Sequence, residues 1–229
     1  MKKASHMHTE DRPIVEFKNA DISNGEIVIV EDVNFTLDRG EFVYLTGKVG
    51  CGKTSIIRTL TGENPLAGGY CRVGDFNLSS LKKKQIPYLR RSIGIIFQDF
   101  QLLMDRSIED NLRFVLRSTG WKDRILMDER IEQALKLVGL SSKGHRMPHQ
   151  LSGGEQQRAV IARSILNDPK LILADEPTGN LDEQTAHEIM YLLLKINSAG
   201  TAVIMVTHNQ GLMADHPART LICENGTCR

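Results

Sequence analysis

The chain has 229 residues, 41% of them apolar and 25% charged, with 29 Lys+Arg against 28 Asp+Glu. That length and composition suit a globular chain with a buried core and exclude a disordered, collagenous or disulfide-stapled one. A net charge of +1 leaves no basic excess to neutralise a nucleic-acid backbone, so no nucleic-acid partner is expected, and no apolar run approaches the ~20 residues that span a bilayer.

Residues 1–13 are polar, without the apolar segment of a secretory signal, and contain Ala4-Ser5-His6-Met7. They read as a flexible N-terminus or tag remnant ahead of one domain, 14–229, in a cytosolic compartment. Cys51, Cys71, Cys223 and Cys228 lack Cys-x-x-Cys spacing, and the seven His lack zincin spacing, so neither a zinc nor a redox motif is expected.

Ile14–Phe17 and Ile27–Leu37, broken by Asn24-Gly25, read as antiparallel strands. Glu41–Thr46 is a buried strand, followed by a Gly-rich turn and a helix from Thr54 that turns Ile56, Ile57 and Leu60 inward and stops near Gly62. Arg91–Phe97 reads as another strand. Helical spacing follows over Ser107–Arg117, Asp128–Val138 and Gly154–Leu166. Strands return at Leu171–Ala174 and Ala202–Val206, separated by a helix presenting Ile189, Leu192, Leu193 and Ile196; Arg219–Cys223 and the turn Asn225-Gly226 close the chain. The alternation predicts an α/β fold with a mostly parallel sheet and a helical insertion between about Gln98 and Gln150. With the helix that follows, the insertion makes a helical subdomain of about 98–165.

Three strings carry chemistry. Gly47-Lys48-Val49-Gly50-Cys51-Gly52-Lys53-Thr54 fits G-x-x-x-x-G-K-[ST] between a strand and a helix. Glycines let successive N–H groups face one anion, and the helix start adds its positive end. Lys53 would reach the β- and γ-phosphates and Thr54 would offer its hydroxyl to Mg²⁺. Leu171-Ile172-Leu173-Ala174-Asp175-Glu176 ends a buried strand on two carboxylates, at the end where parallel sheets bind ligands. Asp175 would hold the Mg²⁺ shell through water and Glu176 would act as general base; alone, the string is more often a solvated acidic turn, and the phosphate loop beside it reverses that. Leu151-Ser152-Gly153-Gly154-Glu155-Gln156-Gln157 opens a helix on a second anion-binding N-terminus, though a serine there is also a routine N-cap.

Together these strings resemble the ATP-binding cassette (ABC) ATPases over about Ile14–Arg229. The resemblance implies a P-loop core with a parallel sheet, an N-terminal antiparallel β-subdomain and a helical insertion. It places Gln98 as the glutamine that senses Mg²⁺ and the partner, Gly179-Asn180-Leu181-Asp182 as the D-loop, and His208 as the switch histidine at the γ-phosphate. It also implies a head-to-tail homodimer. The resemblance implies that ATP would lie between one copy's Gly47–Ser55 loop and the other's Ser152, Gly153 and Gly154, with Asp182 among the nucleotide-binding residues.

Pro87–Arg91 and Ile95–Ser107, including Asp99 and Asp105-Arg106, resemble the bacterial cell-division branch of that family. The lipoprotein-release (LolD) and MacB-type export branches come second. The resemblance implies an FtsX-like transmembrane protein as a separate partner, peripheral attachment through it at the cytoplasmic face of the inner membrane, and activation of cell-wall hydrolases rather than transport. An ATP-gated scaffold is the non-enzymatic alternative, which the intact Glu176 and His208 disfavour. Phe100, Leu102, Leu103 and Met104 either line a groove for a partner helix or belong to the core. Trp121 is expected to be exposed and is assigned no role.

Two departures stand out. No aromatic residue lies between Ala20 and Val30 to stack on adenine, which leaves Ile22 or Asn24 in that neighbourhood. The loss of about 1–3 kcal/mol of stacking predicts weak nucleotide affinity and poor ATP/GTP discrimination in the isolated subunit. Val49 replaces the commoner Ser of the loop; Cys51 lies inside it and reads as a small residue that fits, although a helix N-terminus also activates a thiol.

Overall fold

A computed structural model describes residues 12–25, 27–224 and 226–229. Of the stretch 1–13, all but Arg12 and Pro13 lies outside the described residues, as does Asn225 of the expected terminal turn.

Among the described residues ten strands form two sheets. β1 (Val15–Asn24), β2 (Ile27–Leu37), β4 (Leu66–Val73) and β5 (Phe76–Asn77) make an antiparallel sheet in the order β2-β1-β4-β5. β3 (Phe42–Gly47), β6 (Ile93–Ile96), β7 (Leu171–Asp175), β8 (Ala202–Val206), β9 (Arg219–Glu224) and β10 (Thr227–Cys228) make the second, in the order β10-β9-β3-β8-β7-β6. Its pairs are parallel except β10 with β9. The helices are α1 (Lys53–Leu60), α2 (Ile86–Arg91), α3 (Ile108–Ser118), α4 (Arg124–Leu137), α5 (Gly153–Ser164), α6 (Glu183–Ser198) and α7 (Gln210–Asp215).

The parallel strands are buried on both faces, so they read as unbroken apolar runs; every residue of β8 is buried. The period of two still sorts their side chains. Phe42, Tyr44, Ile172, Ala174, Val203 and Met205 pack with α3–α6 in one core. Val43, Leu45, Leu171, Leu173, Ile204 and Val206 pack with α1 and the antiparallel sheet in the other.

Four expectations change. Arg91 ends a helix and does not start a strand, and only Ile93–Ile96 is extended. The second insertion helix starts at Arg124, because the Asp123 carboxylate accepts from Ile125 N (2.8 Å) and Leu126 N (3.2 Å). Strand β4 was not foreseen: its Gly68-Gly69 pair erases the alternation, yet Gly69 is required, since a Cβ there would lie 1.9 Å from Asn19 O on β1. Trp121 is half-buried against the helical core and donates to Asn167 Oδ1 at 3.1 Å.

The register sets the site. Gly47 pairs with Cys223, Ala174 with Met205 and with Ile96, and Asp175 with Val206. The loops carrying residues 48–52, 98, 176 and 208 therefore all leave one edge, at the C-terminal ends of the parallel strands.

Candidate active site

The loop from β3 to α1 is held by positive φ at Gly47 (143°), Gly50 (82°) and Gly52 (101°). A side chain at Gly47 would meet Cys223 O at 2.2 Å, and one at Gly52 would meet Val30 Cγ2 at 2.1 Å. Both glycines are thus fixed by neighbours, whereas Gly50 faces open space. Lys53 Nζ donates to Gly47 O (2.7 Å) and Lys48 O (2.9 Å), and Cys51 Sγ lies 3.7 Å from it. No side chain caps α1 and no acidic residue lies in its first turn, so its N–H groups are open to an anion. Thr54 is exposed, Ser55 half-buried, and Val49 stands fully in solvent at the tip.

Asp175 ends β7 half-buried. Burial first, then the charge of Glu176, pushes its carboxyl above the usual carboxylate range, against the opposing pull of Lys53 and Arg58. Lys53 and Asp175 therefore share one electrostatic neighbourhood. Glu176 takes a left-handed φ of 48°, a conformation that costs a residue with a side chain ~1 kcal/mol or more. Its N–H donates to Val206 O at 3.0 Å, and its Oε1 lies 2.8 Å from His208 Nδ1. The Glu176 side chain is 16% exposed and the His208 ring 79%. Gln98 is exposed just past β6, and its Nε2 would lie 3.5 Å from a Cβ at Gly179, whose N–H donates to Glu176 O. Gln98, Gly179, Glu176 and His208 thus adjoin.

Hard oxygen donors, the Thr54 hydroxyl and the Asp175 carboxylate, with the Gln98 amide, fit Mg²⁺. Among the described residues no group of three His, Cys, Asp or Glu could hold a metal ion.

Ser152 is the N-cap of α5: its Oγ accepts from Glu155 N at 3.3 Å while Ser152 N donates to Glu155 Oε2 at 3.0 Å. Gly154 has no room for a side chain, since a Cβ would meet Thr185 Cγ2 at 2.5 Å; Gly153 sits against Leu181. The tip of α5 is therefore packed on the start of α6, not on its own chain's 47–54 loop. Asp182 has a structural task. It caps α6, with Oδ1 accepting from Thr185 N (2.9 Å) and Oδ2 from Thr185 Oγ1 (2.6 Å), bonds that hold its carboxyl below the usual range.

The segment after Gln98 divides. Phe100 and Leu102 pack into the helical core, whereas Leu103 (37%) and Met104 (54%) are exposed. Two residues that no motif flags hold this segment. Asn111, buried in α3, accepts from Leu103 N (2.7 Å) and donates to Leu103 O (3.0 Å). Arg163, on α5, donates to Phe100 O (3.1 Å) and Gln101 O. A polar residue inside the apolar stripe Ile108, Leu112, Leu116 was the available signal for Asn111. Near the loop, Ile22 is wholly buried and Asn24 exposed, so neither supplies a stacking face.

This arrangement of an open phosphate-type loop, a carboxylate-ended central strand and a glycine-tipped second helix defines an ATP-binding cassette. Residues 30–179 match the ABC transporter family, and the chain belongs to it and is an ABC-type ATPase. It is 43% identical over 194 residues to the "Cell division ATP-binding protein FtsE" of Streptococcus pneumoniae serotype 2, covering 85% of this chain and 84% of that one. The protein of the same name from Mycobacterium tuberculosis is 44% identical over 184 residues (80% of each chain), and that of Escherichia coli K12 41% over 198 (86% and 88%). Among solved structures, the cassette MJ0796, in a dimeric post-hydrolysis state bound to ADP and Pi, superposes with a TM-score of 0.80 at 31% identity, covering 93% of this chain and 95% of that one. The cbiO1 protein of Clostridium perfringens, part of the cbiONQ ABC transporter complex, gives 0.87 at 25% identity, covering 96% and 88%.

Proposed function

We propose that the chain is the ATP-hydrolysing subunit of a bacterial cell-division complex, acting as a head-to-tail pair beneath an FtsX-like transmembrane partner and converting ATP-driven closure into activation of cell-wall hydrolases. The site supports hydrolysis, not binding alone. The observation that carries this is the 2.8 Å contact between His208 and Glu176 beside the open loop.

In this reading the amides of residues 48–54 and the ammonium of Lys53 hold the triphosphate tail. Lys53 exchanges its bonds to the Gly47 and Lys48 carbonyls for phosphate oxygens. Mg²⁺, held through Thr54, Asp175 and Gln98, would neutralise phosphate charge. Glu176 takes the proton of the attacking water while His208 orients its carboxylate and faces the γ-phosphate. The second copy's Ser152, Gly153 and Gly154 close the site; that the solved cassette MJ0796 is dimeric supports the pairing. The packing of that tip on Thr185 makes the D-loop and Asp182 part of the same face. The pair attaches at the cytoplasmic face of the membrane through its partner; among the described residues no helix is long and apolar enough to cross it.

Glu176→Gln is expected to lower phosphate release by about 10²–10⁴-fold, the usual contribution of a general base, while an ATP-bound dimer accumulates on size-exclusion chromatography. Hydrolysis at the native rate would exclude Glu176 as base. Gln101, with Arg90, Phe97 and Val115, lines a groove of about 280 Å³, and Leu103 and Met104 follow it in the chain as exposed apolar residues; we assign the groove and these two side chains to a helix of the partner. Leu103→Asp is expected to abolish co-purification with the partner and leave the fold intact; retained binding would refute the groove.

A further inference from the structure

Between Leu78 and Arg91 the chain carries five cations, Lys82, Lys83, Lys84, Arg90 and Arg91, and no carboxylate, although the whole sequence is near neutral. A short 3₁₀ turn (Lys83–Gln85) runs directly into α2. Its apolar face is anchored: a Cβ at Gly62 would lie 3.2 Å from Leu81, 3.3 Å from Leu89 and 3.7 Å from Ile86. That anchoring turns the remaining side chains outward. Lys82, Lys83, Lys84, Pro87 and Arg90 are exposed, and Tyr88 is 60% exposed with the Arg91 guanidinium 5.2 Å from its ring centroid. Of these five cations only Arg90 has, among the described residues, a carboxylate within ion-pair distance, Glu63 at 3.8 Å.

We propose that this ridge rests on the anionic headgroups of a bilayer. Uncompensated cations are attracted to such a surface by about five-fold in affinity each. A tyrosine set among them is the aromatic residue type favoured at the water–lipid boundary. A solvated basic face needs no exposed aromatic, and duplex nucleic acid would need cations spread along more of the surface than this one turn. The ridge is also continuous with the groove that Arg90 lines. Here the inference rests on the reading above: if a transmembrane partner's helix occupies that groove, the ridge faces the bilayer that holds the partner.

The test is flotation of the purified chain with vesicles of phosphatidylcholine alone or with 40% phosphatidylglycerol. Binding is expected only with phosphatidylglycerol and is expected to fade as salt shortens the screening length. Joint Lys82→Gln, Lys83→Gln and Lys84→Gln is expected to weaken it by about 100-fold, with nucleotide affinity unchanged. Neutralising the exposed Lys122, Lys136 and Lys195 is expected to leave it intact. Tyr88→Ser, a single surface change, is expected to weaken binding on its own and serves if the triple variant misfolds. Equal loss in both triple variants, no difference between the two vesicle types, or tight binding to duplex DNA without vesicle binding would each overturn the proposal. The vesicles contain no protein, so a negative result leaves the groove standing, and retained co-purification after Leu103→Asp, which would refute the groove, leaves the vesicle result to decide the ridge.

Discussion

Helix α1 follows a glycine N-cap and α5 opens on a glycine pair, yet at Gly52 no side chain caps the first turn and no carboxylate lies in it. At Ser152 a hydroxyl and the Glu155 carboxylate close the turn reciprocally, and Lys143 pairs with Glu155 to hold its carboxyl below the usual range. The same backbone dipole is thus left open in one place and satisfied in the other. An open terminus depends on an anion to complete it; a capped one keeps its shape alone and offers only the amides its cap leaves free. The first suits a site that must hold a ligand's charge, the second a rigid tip presented to another molecule.

The largest expected effect lies at the open terminus. Removing the ammonium in Lys53→Ala is expected to weaken nucleotide binding by about 10- to 100-fold, the loss typical of charge-assisted hydrogen bonds, as read by titration calorimetry. Near-native affinity would break the contrast, because the amides alone would then suffice. Asp175→Asn sharpens it. The native carboxyl titrates above its ordinary range, so the folded state binds that proton more tightly than the unfolded one. The stability this gives is present at low pH and lost as pH rises through the raised value. The variant is therefore expected to melt above the native chain at neutral pH while losing hydrolysis, and the gap should close once pH falls below the ordinary carboxylate range. A variant that melts lower at neutral pH would remove the argument that the edge is electrostatically strained for function. The smallest effect belongs to the capped terminus: Ser152→Ala is expected to cost ~1 kcal/mol, a fall in Tm of about 2–4 °C for a chain of this size. No change in calorimetric Tm would mean that the cap is not what keeps α5 in shape.

Much of this was legible in one dimension because it depends on local physics. Buried parallel strands such as Ala202–Val206 must be apolar throughout, and a phosphate loop must carry its glycines and lysine at fixed intervals, so β3, β7, β8 and residues 47–54 announce themselves. What escaped depends on contacts distant in sequence. Strand β4 is ordered by pairing with β1 across Gly69 and Asn19. Helix α2 is six residues long and opens on Ile86-Pro87, too short for periodicity to register. The strand-end carboxylate string pointed to Glu176 and the resemblance to His208, but their bond arises from the register of β7 with β8. Asp182 shows the opposite limit: a residue placed by motif at the nucleotide spends both oxygens on the backbone and hydroxyl of Thr185.

Arg163 gives the signature helix a mechanical property. It sits on α5 about 16 Å along the axis from Ser152, at 1.5 Å per residue, and grips the carbonyls of Phe100 and Gln101. Because Gly154 and Thr185 leave no slack at the tip, a tilt imposed there by a second subunit of the proposed pair would not be absorbed locally. It would travel down the rod to the guanidinium and drag the stretch ending in Leu103 and Met104 with it, which would make one side chain the linkage between a chemical stroke and whatever is moored outside the cassette.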